Sequence, residues 1–304
     1  MRAVWSFWSL PFAAYNHRTW CTPLHHLLGW WLSLNSARKH YPETLLVTDS
    51  PGKRLLVDQL GLRFVEVSTE LDRLSRVDAD WWSMGKLVAY SLQTQPFVHI
   101  DTDVFLWKPL PKQVAEAPVF AQCRDEFSRL DGFYRPRDVE HAFAQESLRL
   151  PPEWEYARSK SAALTAENCG ILGGTQVGFL RYYANAAMEL ILKPRHSKAW
   201  SRLADKKPYN VVVEQFFLSA CLDFHRHRPA SPFRGVTVKH LFSSWSQAYD
   251  ANDAARVGYT HLLGEAKTSS AVAKRLQARV QREDPLFLRL CERVLERRSI
   301  TVTA

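Results

Sequence analysis

The stretch from Phe97 to Trp107, FVHIDTDVFLW, places two carboxylates, Asp101 and Asp103, two positions apart directly after an apolar run. Two acids delivered together at the end of a buried strand can share one hard divalent cation, Mg²⁺ or Mn²⁺, and leave its other positions to a substrate diphosphate. Without a cation they would be like charges crowded beside apolar chain. The pattern alone is weak, because shuffling this composition yields roughly 0.7 Asp-x-Asp matches. Asp78-Ala-Asp80 is a second match, but no apolar run precedes it, and it reads as a pair of solvated turn acids. Near the other end of the chain lies His261-Leu-Leu-Gly264-Glu-Ala-Lys267. An imidazole suits Mn²⁺ as a third ligand, a glycine lets a backbone amide approach a phosphate, and a lysine brings a mobile point charge. Shuffling yields only roughly 0.02 matches to His-x-x-Gly-x-x-Lys. On that motif alone, a helix-start histidine, a turn glycine and a surface lysine remain an equal reading.

The elements that must hold these residues read as alternating strand and helix over the first 110 positions. Arg2 to Trp8 is apolar, and His25 to His40 carries Leu27, Leu28, Trp31 and Leu34 at helical spacing. Thr44 to Thr48 is a short apolar run closed by Asp49-Ser-Pro-Gly52, which is turn chemistry. Lys53 to Leu60 suits a helix stopped by Gly61, Arg63 to Val67 alternates like a strand, Trp82 to Gln93 suits a helix, and Phe97 to Ile100 is a buried strand. This β-α-β-α-β series predicts an α/β domain with a mostly parallel sheet, which binds ligands beyond the carboxyl ends of its strands. Arg124 to Ala166 is polar and weakly periodic, and is expected to be a long irregular excursion, either a recognition insert or simply mobile. Val211 to His225 returns to helical periodicity, and Leu276 to Arg298 predicts one amphipathic C-terminal helix.

Composition narrows the class. The 304 residues are 46% hydrophobic and 23% charged, which excludes disordered, collagenous and coiled-coil chains. Five cysteines, none in a Cys-x-x-Cys pair, argue against a zinc ribbon, a redox motif or a disulfide scaffold and favour a reducing, cytoplasmic setting. No apolar run is long enough to span a membrane. Ala3 to Ala14 is apolar and follows Arg2, but its aromatics, serines and proline argue against a secretory leader. The net charge of +9 favours polyanionic partners: nucleic acid, an anionic membrane surface, or phosphorylated small molecules. Nine of the Lys and Arg fall between Glu265 and Arg298, against five acids, as on a solvated terminal helix.

Taken in order, Ile100-Asp101-Thr102-Asp103, then Asn168-Cys-Gly170-Ile-Leu-Gly-Gly174, then Glu214-Gln215, then His261-x-x-Gly264-x-x-Lys267, the chain resembles the GT-A nucleotide-sugar glycosyltransferases. Within them it is similar to the glycogenin and bacterial lipopolysaccharide galactosyltransferase family. The likeness runs from about Val4 to Lys267, so residues 1–267 are expected to form the GT-A domain and 268–304 a helical extension packed on it. It implies that Asp101, Asp103 and His261 hold Mn²⁺ or Mg²⁺, with Thr102 between the acids, and that Gly264 and Lys267 contact the donor diphosphate. It implies Asn168 and Gly170 beside the transferred sugar, Glu214 and Gln215 near the reaction centre, Asp125 on donor-sugar hydroxyls, and Lys86 as a basic residue near the donor. Two departures stand out: Thr268-Ser269 follows Lys267 where the family has Pro-Trp, and Glu214-Gln215 stands where it has Asp-Gln. The implied reaction moves a sugar from a nucleotide diphosphate, UDP by likeness, to a hydroxyl of a glycan, peptide or small molecule, with retention of configuration. No nucleic-acid partner is expected, and peripheral membrane contact stays open.

Two other classes stay open. A catalytically silent nucleotide-sugar binding module would keep the phosphate groups without transfer. A basic nucleic-acid-binding protein would instead need basic and aromatic residues interleaved along one face. Other residues carry softer expectations. His25 and His26 read as packing and capping rather than metal ligands, and His225 to Arg228 as a solvated basic cluster. Trp5 and Trp8 would lie near a nucleotide base or fill the core; Trp81, Trp82 and Trp245 would line an acceptor channel or fill the core. Cys169 lacks a paired base and is not expected to be a reactive thiol.

Overall fold

The computed structural model describes residues 1–128, 132–160 and 163–302, with backbone alone for 15–18 and 298–302. Apolar runs with β-branched and aromatic side chains form the strands: β1 Arg2–Phe7, β2 Thr44–Thr48, β3 Glu66–Ser68, β4 Phe97–Ile100, β5 Val104–Leu106, β6 Val119–Ala121, β7 Arg124–Ser128, β8 Ala163–Glu167, β9 Ile171–Gly174, β10 Val238–His240 and β11 Tyr259–His261. Seven of them make one sheet in the order β10-β6-β9-β4-β1-β2-β3. All of its pairings are parallel except those of β9, which runs antiparallel to both β4 and β6. This is the mostly parallel α/β sheet expected.

Side chains alternate across the sheet, so neighbouring residues of one strand feed opposite cores. Val4, Leu45 and Val47 join the core beneath helices Met84–Ser91, Val177–Leu192 and Phe217–His227. Ala3, Trp5, Leu46 and Ile100 join the other core, covered by helix Pro23–Ala37. Helices Ser270–Glu283 and Pro285–Val302 pack outside that helix, where Trp31 Nε1 donates to Asp284 Oδ2 at 3.2 Å and stacks obliquely on Phe287. Burial on both faces explains why β1, β2 and β4 read as continuous apolar runs rather than as alternation.

Several boundaries differ from the sequence reading. The strand expected over Arg63 to Val67 is only Glu66–Ser68, since it lies at the sheet edge with β2 as its one neighbour. Arg124 to Ala166 is not irregular: β7 and β8 pair antiparallel and enclose helices Pro136–Gln145 and Pro152–Lys160, with 129–131 and 161–162 outside the described residues. Its helical period was hidden because only Val139, Ala142 and Phe143 of the first helix, with Pro136, and Glu153 and Trp154 of the second are buried. The single C-terminal helix expected over Leu276 to Arg298 is two, parted at Asp284-Pro285, because a proline cannot donate into the preceding turn but suits the first turn of a new helix. The side chain of Arg298 lies outside the described residues. Among the described residues no helix is long and apolar enough to cross a membrane.

Buried serines tie this scaffold to the segment after β4. Trp5 Nε1 donates to Ser33 Oγ at 2.9 Å, and the Ser33 hydroxyl donates to the Asp101 carbonyl at 3.2 Å. Ser36 Oγ, one turn on, accepts from the Leu106 N–H at 3.2 Å. Trp5 is fully buried in the central strand. Trp5→Ala is expected to lower stability by ~3–5 kcal/mol in urea denaturation; a loss below ~1 kcal/mol would contradict its place in the core.

Candidate metal and donor site

Strand β4 ends at Ile100, so Asp101 emerges from the carboxyl edge of the sheet, and the turn through Thr102 and Asp103 leads into β5. Antiparallel pairing of β5 with β11 sets His261 opposite Val104, and the Leu262 N–H donates to the Asp103 carbonyl at 2.9 Å. His261 is therefore the last residue of a strand and not a helix start. Asp101, Asp103 and His261 each offer a ligand atom, and these atoms lie within 4.8 Å of one another. His261 Nε2 stands 3.5 Å from Asp103 Oδ1. Two carboxylate oxygens and an imidazole nitrogen are a donor set that suits Mn²⁺ or Mg²⁺.

Each carboxylate is also held on its second oxygen by a lysine. Lys86 Nζ donates to Asp101 Oδ2 at 3.0 Å, and Lys267 Nζ to Asp103 Oδ2 at 2.7 Å. Burial works against both charges, yet the outcomes differ. For Asp101 burial, reinforced by Asp103 and Glu214, outweighs Lys86 and pushes the carboxyl up to about 6. For Asp103 the Lys267 ammonium and His261 outweigh burial and hold the carboxyl well below the usual range. Lys86 is itself buried, but Asp101 and Glu214 outweigh that cost and keep it protonated.

Glu214 is fully buried in the wide helical turn Val212–Phe216, with Oε1 2.6 Å from Lys86 Nζ and accepting from the Tyr90 hydroxyl at 3.2 Å. Its Oε2 has no hydrogen-bond partner among the described residues. Gln215 projects differently from the same turn. Its Oε1 lies 2.6 Å from the Tyr134 hydroxyl, which also stands 2.9 Å from Asp125 Oδ2. Tyr134 thus joins Gln215 to Asp125, a link that no motif announced. Burial of Asp125, partly offset by the Tyr134 hydrogen bond, raises its carboxyl.

The reversed direction of β9 brings its first residues back to the end of β4. The Asp101 N–H donates to the Gly170 carbonyl at 3.1 Å, while Asn168 Oδ1 accepts from the Gly170 N–H at 3.2 Å. Gly170 is required by close approach: a Cβ there would lie 2.5 Å from His261 Nδ1 and from Gln122 Oε1. Gly264 adopts φ 50° and ψ −119°, a conformation glycine alone adopts readily, and it turns β11 into the short helix Glu265–Thr268 that carries Lys267. Nothing stands within 4 Å of a Cβ built at Gly264.

A cavity of about 530 Å³ adjoins the cluster. Its wall combines Lys86, Asp101, Thr102, Asp103 and Lys267 with the rings of Trp8, Phe12, Trp30 and Trp82. His26 belongs to the same wall, caged by Phe7, Phe12, Trp20 and Trp30, and burial lowers its imidazole to about 3. Asp125 and Tyr134 line a second cavity, of about 900 Å³, with the exposed Trp245. Trp5 and Trp81 are core residues. His225 is buried, its Nδ1 2.6 Å from Ser231 Oγ, and not part of a solvated cluster, because helix Phe217–His227 turns that face inward. Asp78 and Asp80 pair with Lys206 and Lys207, as suits turn acids. The buried Cys169 thiol is pushed well above its ordinary value by burial.

A family profile described as a family of unknown function, DUF6734, matches residues 1–293. The chain belongs to that family. No curated protein matches the sequence. Among solved structures, this DUF6734 chain is similar to galactosyltransferase LgtC in complex with donor and acceptor sugar analogs, at 12% identity and TM-score 0.43, over 91% of this chain and 94% of that one. An active-site mutant of LgtC aligns over the same shares, at 11% identity and TM-score 0.44.

Gly170→Ala in this DUF6734 protein is expected to displace His261 and weaken Mn²⁺ binding by about tenfold or more, the usual scale for disturbing the surroundings of a ligand. Titration calorimetry with Mn²⁺ checks this, and unaltered affinity would show that the close approach is not maintained in solution.

Proposed function

We propose that the chain is a GT-A glycosyltransferase that transfers a sugar from a nucleotide-diphosphate donor to an acceptor hydroxyl. The observation that carries this reading is the meeting of Asp101, Asp103 and His261 at the carboxyl edge of a mostly parallel sheet, with Lys267 on the same acid. Sequence-distant residues converge there on one ion-sized space, and a cavity walled by both charged groups and aromatic rings adjoins it. A single site of that kind suits a ligand with a diphosphate at one part and a planar base at another.

Cleavage of a glycosyl phosphate places negative charge on the leaving diphosphate. A divalent ion held by Asp101, Asp103 and His261 would supply Lewis-acid stabilisation of that charge when bound. Lys267 carries a second positive charge, and Gly264 leaves room for a phosphate beside the backbone. With the leaving group stabilised as an anion, no general acid is needed there. We assign Lys86 to holding Asp101 and Glu214 in place beside the transferred sugar, with Asn168 and Gly170 next to it. Asp125 and Gln215, joined through Tyr134, take the donor-sugar hydroxyls and the side from which the acceptor arrives. A UDP donor and retention of configuration rest on the family resemblance. Residues 1–267 would hold the site, and 268–304 would form an extension whose helices Ser270–Glu283 and Pro285–Val302 brace helix Pro23–Ala37 behind it.

Melting temperature should rise with Mn²⁺ plus UDP and stay unchanged with either generic oligonucleotides or UDP-free buffer. A rise with oligonucleotides alone would turn the reading toward nucleic acid. Asp103→Asn and His261→Ala are each expected to reduce sugar transfer or donor hydrolysis by about 10²–10³-fold or more, with circular dichroism unchanged. Near-normal turnover in either variant would refute the metal assignment. Lys267→Ala is expected to raise the donor KM by about tenfold and lower turnover, since one charge-assisted contact is lost; unaltered kinetics would remove Lys267 from the site.

A further inference from the structure

The geometry points to Gln122 as the positioning residue that fixes the tautomer of His261, presenting its Nε2 lone pair to a divalent cation. This rests on the metal reading above and adds to it a residue that no motif contains. Gln122 follows β6 and is fully buried. Its main chain is clamped on both sides: its N–H donates to the Asn168 carbonyl at 3.0 Å, and its carbonyl accepts from the Phe242 N–H at 2.9 Å. Its side-chain Oε1 lies 2.5 Å from the Tyr259 hydroxyl and 2.6 Å from His261 Nδ1. Tyr259 and His261 are two positions apart on β11 and so share a face.

One amide oxygen has two lone pairs and can accept from both the phenol and the imidazole N–H. The proton of a neutral His261 then sits on Nδ1, and Nε2 keeps a lone pair. Were the amide turned over, its NH₂ would donate to Nδ1, the proton would move to Nε2, and Nε2 would donate to Asp103 instead of binding a cation. One feature selects the first arrangement. Turning the amide over would take from the buried Tyr259 hydroxyl the acceptor it has in Gln122 Oε1; with Oε1 kept there, His261 Nε2 and Asp103 Oδ1 face each other 3.5 Å apart with a lone pair on each. Two facing lone pairs in a buried place ask for a cation between them. Gly170, lacking a side chain, leaves the contact between Gln122 and His261 unobstructed.

Nitrogen-15 spectra of the metal-free wild-type protein read the tautomer without any variant. A His261 proton on Nδ1 is expected; a proton on Nε2 overturns the inference whether or not a metal binds. Mn²⁺ affinity, followed by the loss of the free-ion electron paramagnetic resonance signal, provides the second readout. Gln122→Met should weaken Mn²⁺ binding by about 10–100-fold, the scale seen when the partner of a ligating histidine is removed. Gln122→Glu can only accept from Nδ1–H and should restore binding to the wild-type level or better, including when Gln122→Met fails to fold. Wild-type affinity in a folded Gln122→Met, or loss of binding in a folded Gln122→Glu, overturns the assignment. A wild-type protein that binds no Mn²⁺, with or without UDP, overturns the metal reading itself, and the nitrogen spectrum separates that failure from this one.

Discussion

Two carboxylates two positions apart, both largely removed from water, are an electrostatic liability unless other charges meet them. Here Asp101 and Asp103 each have one oxygen held by a lysine, Lys86 and Lys267, while the remaining acceptor atoms converge with His261. Every nearby feature serves that balance. Helix Met84–Ser91 brings Lys86, the turn at Gly264 brings Lys267, and the pairing of β11 with β5 brings His261. The two acids are unequal as a result: Lys267 keeps Asp103 firmly ionised, whereas Asp101 shares Lys86 with Glu214 and gains a proton more readily.

From this pair of acids two sets of polar contacts extend, meeting at consecutive residues of one turn. Asp101 meets Lys86, Lys86 meets Glu214, and the next residue, Gln215, reaches Tyr134 and through it Asp125. The first set lines the cavity beside the acids, and the second lines the one walled by Trp245. A buried network of this kind fixes side-chain orientation only when its members are paired. Among the described residues, Glu214 Oε2 is left without a partner where the two sets meet. Glu214 and Gln215 are consecutive in the wide turn Val212–Phe216, and neighbours on a helix point up to about 100° apart, so the two side chains take different directions.

The site-bearing strands and the paired acids were legible in the sequence because they are local. Thr44–Thr48 and Phe97–Ile100 are central strands buried on both faces, so their apolar runs carry the signal whole. The edge strand Glu66–Ser68 and the two helices between β7 and β8 were harder, since each buries few side chains and leaves a faint pattern. Gln122 and Tyr134 left no trace at all. A glutamine or a tyrosine in an unremarkable segment acquires its role from what the fold sets against it.

Residue order alone determined that Asp101 and Asp103 leave a buried strand together, that His261, Gly264 and Lys267 stand at fixed spacing, and that strands alternate with helices. Chain connectivity and side-chain period act over a few residues, and those facts need nothing more. The tertiary structure decided that the two motifs meet, that each acid is held by its own lysine, and that Gln122 faces His261. Those contacts depend on β9 running against its neighbours and on β11 adding to β5, pairings set by backbone hydrogen bonds between segments far apart in the chain.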